Sequence, residues 1–325
     1  MCTSVAMGIR LLNSFINSSR SSGIQEIALE ELEGKKVVVD ASIYLYRFKA
    51  AGSLIESLFL MCSVLRSHNI HILFIFDGQP PPHKRAAVDE RRRNKERAEA
   101  KRARLMAALE VEENERIRDD LKREIARITK KCARLSRRDI AEAKTLLDSY
   151  GIGHLQASGE ADGVCAAMVV QGRAYACISE DTDLFMYGCP RVLKYLSLAH
   201  HTAMLYSLDT LLKDLELPLA RFRQLCALSG TDYHKTEHSI FDLYRHFHEY
   251  EASCTNDEFE PWLSRRLGVH LPDLTLVLRH YVSEGALAPY KYKVIRNGDI
   301  DYTKLHSVLR EARFVFAPAR PLDCK

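Results

Sequence analysis

Short runs of β-branched and aromatic residues are separated along this chain by longer stretches of helical character. Residues 35–40, 70–77, 173–178 and 191–198 form strand-like runs, and the apolar-rich stretch from Leu54 to Arg66 is typical of a helix. Strands separated by helices along the sequence indicate α/β units, in which neighbouring strands run parallel. We therefore predict an α/β fold with a mainly parallel central sheet flanked by helices and a mostly helical C-terminal part.

Three of the predicted strands lead into acidic residues. Asp40 ends the first run, Asp77 ends the second, and Glu180 and Asp181 follow the third. The carboxyl ends of parallel strands meet at one edge of a sheet, where α/β proteins bind their ligands. Two further acidic pairs lie at tight spacing in SGEAD and SEDTD, and one acid lies in SGTDY. The expected carboxylate cluster consists of Asp40, Asp77, Glu160, Asp162, Asp181, Asp183 and Asp232.

Seven carboxylates at one sheet edge repel one another, so a cation is expected among them. Ligands that are all oxygens favour Mg²⁺, with Mn²⁺ as an alternative. Seven ligands exceed what one octahedral Mg²⁺ takes from a protein, so we expect two ions, the arrangement used in phosphodiester hydrolysis. Taken alone, Asp40 is equally well explained as the N-cap of a following helix.

Charge is distributed unevenly along the chain. The 47 Lys and Arg and 43 Asp and Glu give a net charge of +4. Residues 84–138 hold 20 basic and 11 acidic residues, a net charge of +9, while the other 270 residues hold 27 and 32, a net charge of −5. This segment predicts two basic helices, 84–104 and 116–138, on either side of an acidic tip. Such asymmetry suggests a nucleic-acid or acidic-surface partner, and a merely solvated helical hairpin is the alternative.

Composition narrows the class of protein. Hydrophobic residues make up 46% of the chain, which is enough for a sizeable core, and no run approaches the roughly 18 apolar residues of a membrane span. The nine cysteines are widely spaced and include no C-x-x-C pair, which favours free thiols over a zinc site or disulfides. The N-terminal residues lack the features of a secretory signal. We therefore expect an intracellular protein in a reducing compartment.

Six motifs follow one another along the chain. They are MGIRLL at Met7, VVVDASIYLYRF around Asp40, FIFDGQPPPHKR around Asp77, SGEADGVCAAM around Glu160, SEDTDLFMYG around Asp181 and LCALSGTDY around Asp232. In sequence and in order they resemble the motifs of the flap endonuclease (XPG-type) family of structure-specific 5′ nucleases. The resemblance implies a PIN-like 5′-nuclease fold. It assigns one ion to Asp40, Asp77, Glu160 and Asp162, and the other to Asp181, Asp183 and Asp232.

The resemblance also implies residues that contact DNA. In that family a lysine seven positions after the second aspartate and an arginine seven positions further act on the scissile phosphate, and these positions are Lys84 and Arg91 here. Two helical turns separate them, so both can face the cluster. The alternatives are that Lys84 and Arg91 are ordinary surface cations and that Tyr46 is a core residue. The implied DNA-binding residues are Tyr46, which matches a base-stacking aromatic, Lys84, Arg91, Arg92, Glu160, Gly230, which matches a backbone contact, and Asp232.

The expected organisation has four regions: an N-terminal nuclease region (1–82), a basic helical arch (83–138, called the basic insert below), an internal nuclease region (139–233) and a mostly helical C-terminal region (234–325). The resemblance implies a Mg²⁺-dependent 5′ nuclease that cleaves DNA at 5′ flaps or junctions of single and double strands in replication, repair or recombination, in the nucleus. A 5′-to-3′ exonuclease of the same family, a non-catalytic DNA-binding factor and a phosphatase for small esters are the alternatives.

Four features depart from the family pattern. Asp162 stands where flap endonucleases usually have Glu, although the exonuclease branch has Asp. The segment after Asp232 lacks the Gly-Ile-Gly turn that binds duplex phosphates in relatives, so duplex binding is expected to differ. Without a Gln-led box near the C-terminal end, sliding-clamp binding is not expected, and we expect a monomer. Six residues precede Met7, which leaves open whether translation begins at Met1 or Met7.

The segment after Asp232 is also rich in histidine. Its histidines, at positions 234, 238, 246 and 248, could form a metal-binding helix face. A satisfied or solvated helix surface is the favoured interpretation and contacts to phosphate are a further alternative, so these residues are not counted as site residues.

Overall fold

The structure is a computed structural model, and it describes residues 9, 11–79, 85–231, 236, 238–253, 255–268, 274–281 and 294–314. Two of the predicted site residues, Lys84 and Asp232, lie outside the described residues. So do Met7 and His234.

A seven-stranded sheet forms the centre of the molecule. Its strands are β1 (Ile24–Ala28), β2 (Lys36–Asp40), β3 (His71–Phe76), β4 (Gly153–Gln156), β5 (Ala176–Ile178), β6 (Arg191–Ser197) and β7 (Thr202–Ser207). Across the sheet the order is β1-β7-β6-β5-β2-β3-β4. The five strands from β6 to β4 run parallel, while β7 is antiparallel to β6 and β1 is antiparallel to β7. The predicted mainly parallel sheet is confirmed.

Fourteen α-helices and one short 3₁₀-helix (Leu29–Leu32) accompany the sheet within the described ranges. The helices are α1 (Leu12–Ser18), α2 (Ala41–Ala51), α3 (Leu54–Ser67), α4 (Arg85–Val111), α5 (Glu115–Lys131), α6 (Arg137–Ser149), α7 (Ala161–Val170), α8 (Asp183–Met186), α9 (Leu208–Asp214), α10 (Leu219–Ser229), α11 (Ile240–Ala252), α12 (Phe259–Leu267), α13 (Thr275–His280) and α14 (Tyr302–Glu311). None of them is both long and apolar enough to cross a membrane.

Hydrophobic cores cover both faces of the sheet. Successive side chains of a strand point to opposite faces. In β2, Val37 and Val39 pack on the face covered by α2, α3, α6 and α14, while Val38 packs on the face covered by α1, α7 and α10. Burial on both faces explains why β2 reads as a continuous apolar run. The six cysteines within the described ranges are buried free thiols, as their spacing predicted.

The basic insert leaves the sheet at the carboxyl end of β3 and returns through α6 to β4. Its first helix, α4, continues to Val111 instead of ending at residue 104 as expected, because Leu, Met, Ala and Glu in the tip are all strong helix formers. Asn114 caps α5, accepting from the N–H groups of Arg116 and Ile117. In α5, Ile128 is buried but Ile117 is 45% exposed, so α5 is more deeply packed near its base than near the tip.

Candidate functional site

Asp40 lies at the carboxyl end of β2 and is also the N-cap of α2. Its carboxylate is buried; Oδ1 accepts from the N–H of Ser42 at 3.2 Å and Oδ2 accepts from Ser179 Oγ at 3.0 Å. Burial, together with the charges of Asp77 and Asp181, raises the pKa of Asp40 from 3.8 to about 8. The side chain of Asp40 therefore caps α2 and is also one of the mutually repelling carboxylates.

Asp181 lies in the loop after β5 and Asp183 is the first residue of α8; both are buried. The N–H of Asp181 donates to Ser179 Oγ at 3.1 Å, and the N–H of Asp183 donates to Asp181 Oδ1 at 2.9 Å. Ser179 therefore orients both Asp40 and the backbone of Asp181. Its place at the start of the SEDTD motif is the sequence signal by which this role could have been found. Thr182 Oγ1, between the two acids, accepts from the N–H of Ile9 at 3.2 Å, so the start of the described chain lies beside the site.

Asp162 lies in the first turn of α7. Burial raises its pKa well above the usual range, and the charges of Asp181, Asp40, Asp183 and Asp77 raise it further. These five carboxylates are therefore close enough to repel one another at the same sheet edge. The electrostatic free energy stored in this repulsion would be recovered by a bound cation.

Asp77 and Glu160 lie where β3 and α7 meet. Asp77 is exposed, and its Oδ1 accepts from the N–H of Ala161 at 2.8 Å. Glu160 is the N-cap of α7, half-buried, and its side chain makes no capping hydrogen bond. Gly78 allows this approach, because a Cβ there would clash with the backbone oxygen of Ala157.

The donor set fits a hard divalent cation, since all of its members are carboxylates. Asp162 Oδ1 is buried and has no hydrogen-bond partner in the described part of the chain, so it is available as a ligand. No three His, Cys, Asp or Glu side chains among the described residues already stand in metal-ligand geometry. Asp232, the seventh predicted ligand, cannot contribute to that count because it lies outside the described residues.

Tyr46 lies on α2 between the carboxylates and the basic insert. Its side chain is 41% exposed, so it is not a core residue. Lys95 Nζ lies 4.8 Å from the centre of the ring and donates to the carbonyl oxygen of Ala133 at 3.1 Å. Burial and the charge of Asp77 raise the pKa of Tyr46, and the charge of Arg91 opposes them. The ring is therefore within electrostatic reach of both the acids and the insert.

Arg91 and Arg92 are adjacent and exposed on α4 but face different groups. The charge of Arg91 acts on Tyr46 and Lys95. Arg92 instead faces Asp89 at 3.9 Å and Glu96 at 3.7 Å, both on its own helix. Consecutive helix positions diverge by about 100°, so the side chains of Arg91 and Arg92 leave α4 in different directions.

The remaining predicted contacts lie on the C-terminal side. Gly230 ends α10 with φ 105°, a conformation that favours glycine, and it is buried. Among the histidines of the following segment, His246 Nδ1 pairs with Glu249 at 3.1 Å and His248 packs edge-on against Tyr244. Both histidines are used in contacts of α11, in line with a role at the helix surface.

One contact to the site was missed from the sequence. The hydroxyl of Tyr281, which follows α13, donates to Asp183 Oδ2 at 3.3 Å. The two residues are 98 positions apart, and no motif or periodicity connects them.

Family models match two parts of this chain. The XPG N-terminal domain matches residues 7–100, and the XPG I-region matches residues 151–232. Flap endonuclease 1 of Drosophila grimshawi is 31% identical over 245 residues, covering 70% of this chain and 60% of that protein. Flap endonuclease 1 of Homo sapiens is 28% identical over 245 residues, covering 70% of this chain and 62% of that protein. The chain thus spans somewhat less than two thirds of the length of these relatives.

Solved structures share the fold. The catalytic core of Rad2 in complex with DNA substrate superposes with a TM-score of 0.67 at 22% identity, covering 94% of this chain and 95% of that chain. Human GEN1 in complex with Holliday junction DNA gives a TM-score of 0.63 at 17% identity, covering 94% and 73%. Flap endonuclease-1 from Methanococcus jannaschii gives 0.57 at 20% identity, covering 94% and 98%. At these identities the likeness concerns the fold.

Proposed function

Because this chain belongs to the XPG (flap endonuclease) family, we propose that it is a divalent-metal-dependent, structure-specific 5′ nuclease. It hydrolyses DNA phosphodiesters at 5′ flaps or at junctions of single and double strands. The observation that carries the proposal is a set of mutually repelling carboxylates, most of them buried, at the carboxyl edge of a parallel sheet, next to a basic helical insert. Buried repulsion of this kind is useful where a cation is to be bound.

Two ions, Mg²⁺ or Mn²⁺, are held by the seven carboxylates. One is assigned to Asp40, Asp77, Glu160 and Asp162, and the other to Asp181, Asp183 and Asp232. When bound, such ions supply an activated water and stabilise the charge of the leaving oxygen. Ser179 fixes the orientation of Asp40 by its hydrogen bond.

DNA is held and oriented by groups of the insert and of α2. Arg91, with Lys84, stabilises the negative charge that grows on the phosphate in the transition state. The half-exposed ring of Tyr46 stacks on a base near the cleaved bond. Arg92, Glu160, Gly230 and Asp232 complete the proposed DNA contacts. The basic insert guides the single strand, so binding weakens steeply as salt concentration rises.

The test uses end-labelled flap, nick, gap and bubble DNA with Mg²⁺, with product sizes resolved on a gel. Asp181→Ala abolishes cleavage and leaves flap binding largely intact. Asp214→Ala is the matched control, because Asp214 is an exposed acid bonded to Ser21 and Ser22 away from the cluster. Full cleavage by Asp181→Ala, with contaminating nuclease excluded by repurification, would refute the proposal.

A 5′-to-3′ exonuclease is the second candidate, favoured by Asp162 in place of the usual Glu. The same gel distinguishes the two, since an endonuclease releases a single flap-length product and an exonuclease releases a mononucleotide ladder. Binding without cleavage in Mg²⁺ and in Mn²⁺ would indicate a non-catalytic DNA-binding factor. Turnover of a small phosphate ester exceeding that of the flap would indicate a phosphatase.

The proposed setting is DNA replication, repair or recombination in the nucleus. Human GEN1, one of the structural neighbours, is recorded with Holliday junction DNA, and another GEN1 structure holds product DNA and Mg²⁺. The chain is proposed to act as a monomer. Sedimentation of the protein with and without flap DNA tests the oligomeric state, and a stable dimer would require this point to be revised.

A further inference from the structure

Tyr281 connects the C-terminal region to the candidate metal centre. It is the first residue after α13 and is fully buried, and its hydroxyl donates to Oδ2 of the buried Asp183 at 3.3 Å. We propose that Tyr281 is a positioning residue, which holds the carboxylate of Asp183 in the orientation that binds the divalent ion. The proposal rests on the proposed function, because it concerns the same metal centre.

Asp183 needs support from outside its own element. It begins α8, which has only four residues, and so short a helix is held by its tertiary contacts instead of its own hydrogen bonds. The N–H of Asp183 is bound to Asp181, which fixes the backbone. The Tyr281 hydroxyl restrains Oδ2 of the carboxylate, which limits the orientations open to the other oxygen.

The ring of Tyr281 is itself held firmly. It packs against the ring of Tyr187 with centroids 5.1 Å apart. Tyr187 directly follows α8, and its ring lies along Gly163, where an added Cβ would already be in contact at 3.4 Å. Gly163 is the neighbour of Asp162. Tyr187 therefore packs between Tyr281 and α7, the helix that carries Asp162.

A hydrogen bond to a metal ligand raises metal affinity by fixing its orientation, and removing such a partner typically weakens affinity about 10- to 100-fold. The distance of 3.3 Å is long for an O–H donor. We therefore expect an effect at the lower end of that range, about tenfold.

The experiment measures Mn²⁺ binding to the metal-free full chain by electron paramagnetic resonance, without DNA. Tyr281→Phe keeps the ring and its packing, and it weakens Mn²⁺ binding about tenfold. In flap cleavage, the Mn²⁺ concentration for half-maximal rate rises by the same factor, while the rate at saturating Mn²⁺ stays within about threefold of wild type.

The matched control is Tyr206→Phe. Tyr206 is equally buried, and its hydroxyl donates to Asn17 Oδ1 at 2.8 Å, so its loss removes a hydrogen bond that, in the described part of the chain, does not involve the proposed metal ligands. This variant keeps wild-type Mn²⁺ affinity. In an Asp183→Asn background, Tyr281→Phe causes no further weakening, because its effect passes through Asp183.

Unchanged Mn²⁺ affinity of Tyr281→Phe overturns the inference, and so does equal weakening by Tyr206→Phe, which would indicate general loosening of the core. The proposed function fails separately, if the wild-type chain neither binds Mn²⁺ nor cleaves DNA. Wild-type binding and cleavage together with an unaffected Tyr281→Phe would refute only the role of Tyr281.

Discussion

Neutralising Asp40 is expected to stabilise the metal-free protein, although it removes a proposed ligand. In the unfolded chain the pKa of Asp40 has its ordinary value of 3.8, and in the folded protein burial and neighbouring acids raise it to about 8. Ionisation therefore opposes folding. The loss of stability is absent below about pH 4, grows as the pH rises, and is complete above about pH 8.

The size of the effect follows from this rise in pKa. At about 1.4 kcal/mol per pH unit, the full rise corresponds to roughly 6 kcal/mol. Relaxation and water penetration around buried charges reduce such penalties, so we expect about half of it. Asp40→Asn should then raise the free energy of unfolding by about 3 kcal/mol at pH 8.5 and by about 1 kcal/mol at pH 5.5. Asn still accepts from the N–H of Ser42 and so preserves the cap.

The assay is urea unfolding followed by circular dichroism in EDTA at both pH values. Asp214→Asn is the control of opposite sign, because hydrogen bonds from Ser21 and Ser22 lower the pKa of Asp214, and neutralising it should destabilise the protein at both pH values. In excess Mg²⁺ the gain of Asp40→Asn should vanish or reverse. A gain that does not depend on pH, or no gain at pH 8.5, would refute the reasoning.

Two further outcomes are expected. Arg91→Ala should lower the rate of flap cleavage at saturating DNA about 100-fold. Arg92 faces Asp89 and Glu96, so Arg92→Ala should mainly lower DNA affinity. Single-turnover rates and binding curves compare the two variants, and equal losses of rate would contradict the assignment of Arg91. Ser136→Ala should lower the free energy of unfolding by about 1 kcal/mol, since Ser136 caps α6 in reciprocal hydrogen bonds with Asp139. Urea unfolding measures this change, and an unchanged midpoint would show that the cap contributes nothing to stability.

The central strands were predictable because each combines an apolar run with a clear end. β2 and β3 lie within one residue of the predicted runs, and the acids that follow them mark the functional edge. The edge strand β1 was not predicted, because its exposed Gln25 and Glu26 leave no apolar run. Its identity as a strand comes from pairing with β7, which is a long-range effect.

The candidate site was predictable only in part. Acids at strand ends can be found from sequence, since backbone topology alone brings them to one edge. The contact of Tyr281 with Asp183 depends on how the C-terminal helices pack, which no local pattern encodes. The difference between Arg91 and Arg92 depends on which side of α4 faces the body. Because basic residues occur all around this helix, the sequence does not indicate that side.

The capping role of Asp40 limits which substitutions its position can tolerate. Aspartate is among the favoured N-cap residues because its short side chain reaches the N–H groups of the first turn. Glutamate would keep the charge but place its oxygens one carbon farther from Ser42, and asparagine would keep the cap but lose the charge. Serine and threonine would likewise cap the helix but carry no charge. No other residue meets both demands, so this position should be nearly invariant under selection for activity, and directed evolution of the site should begin elsewhere.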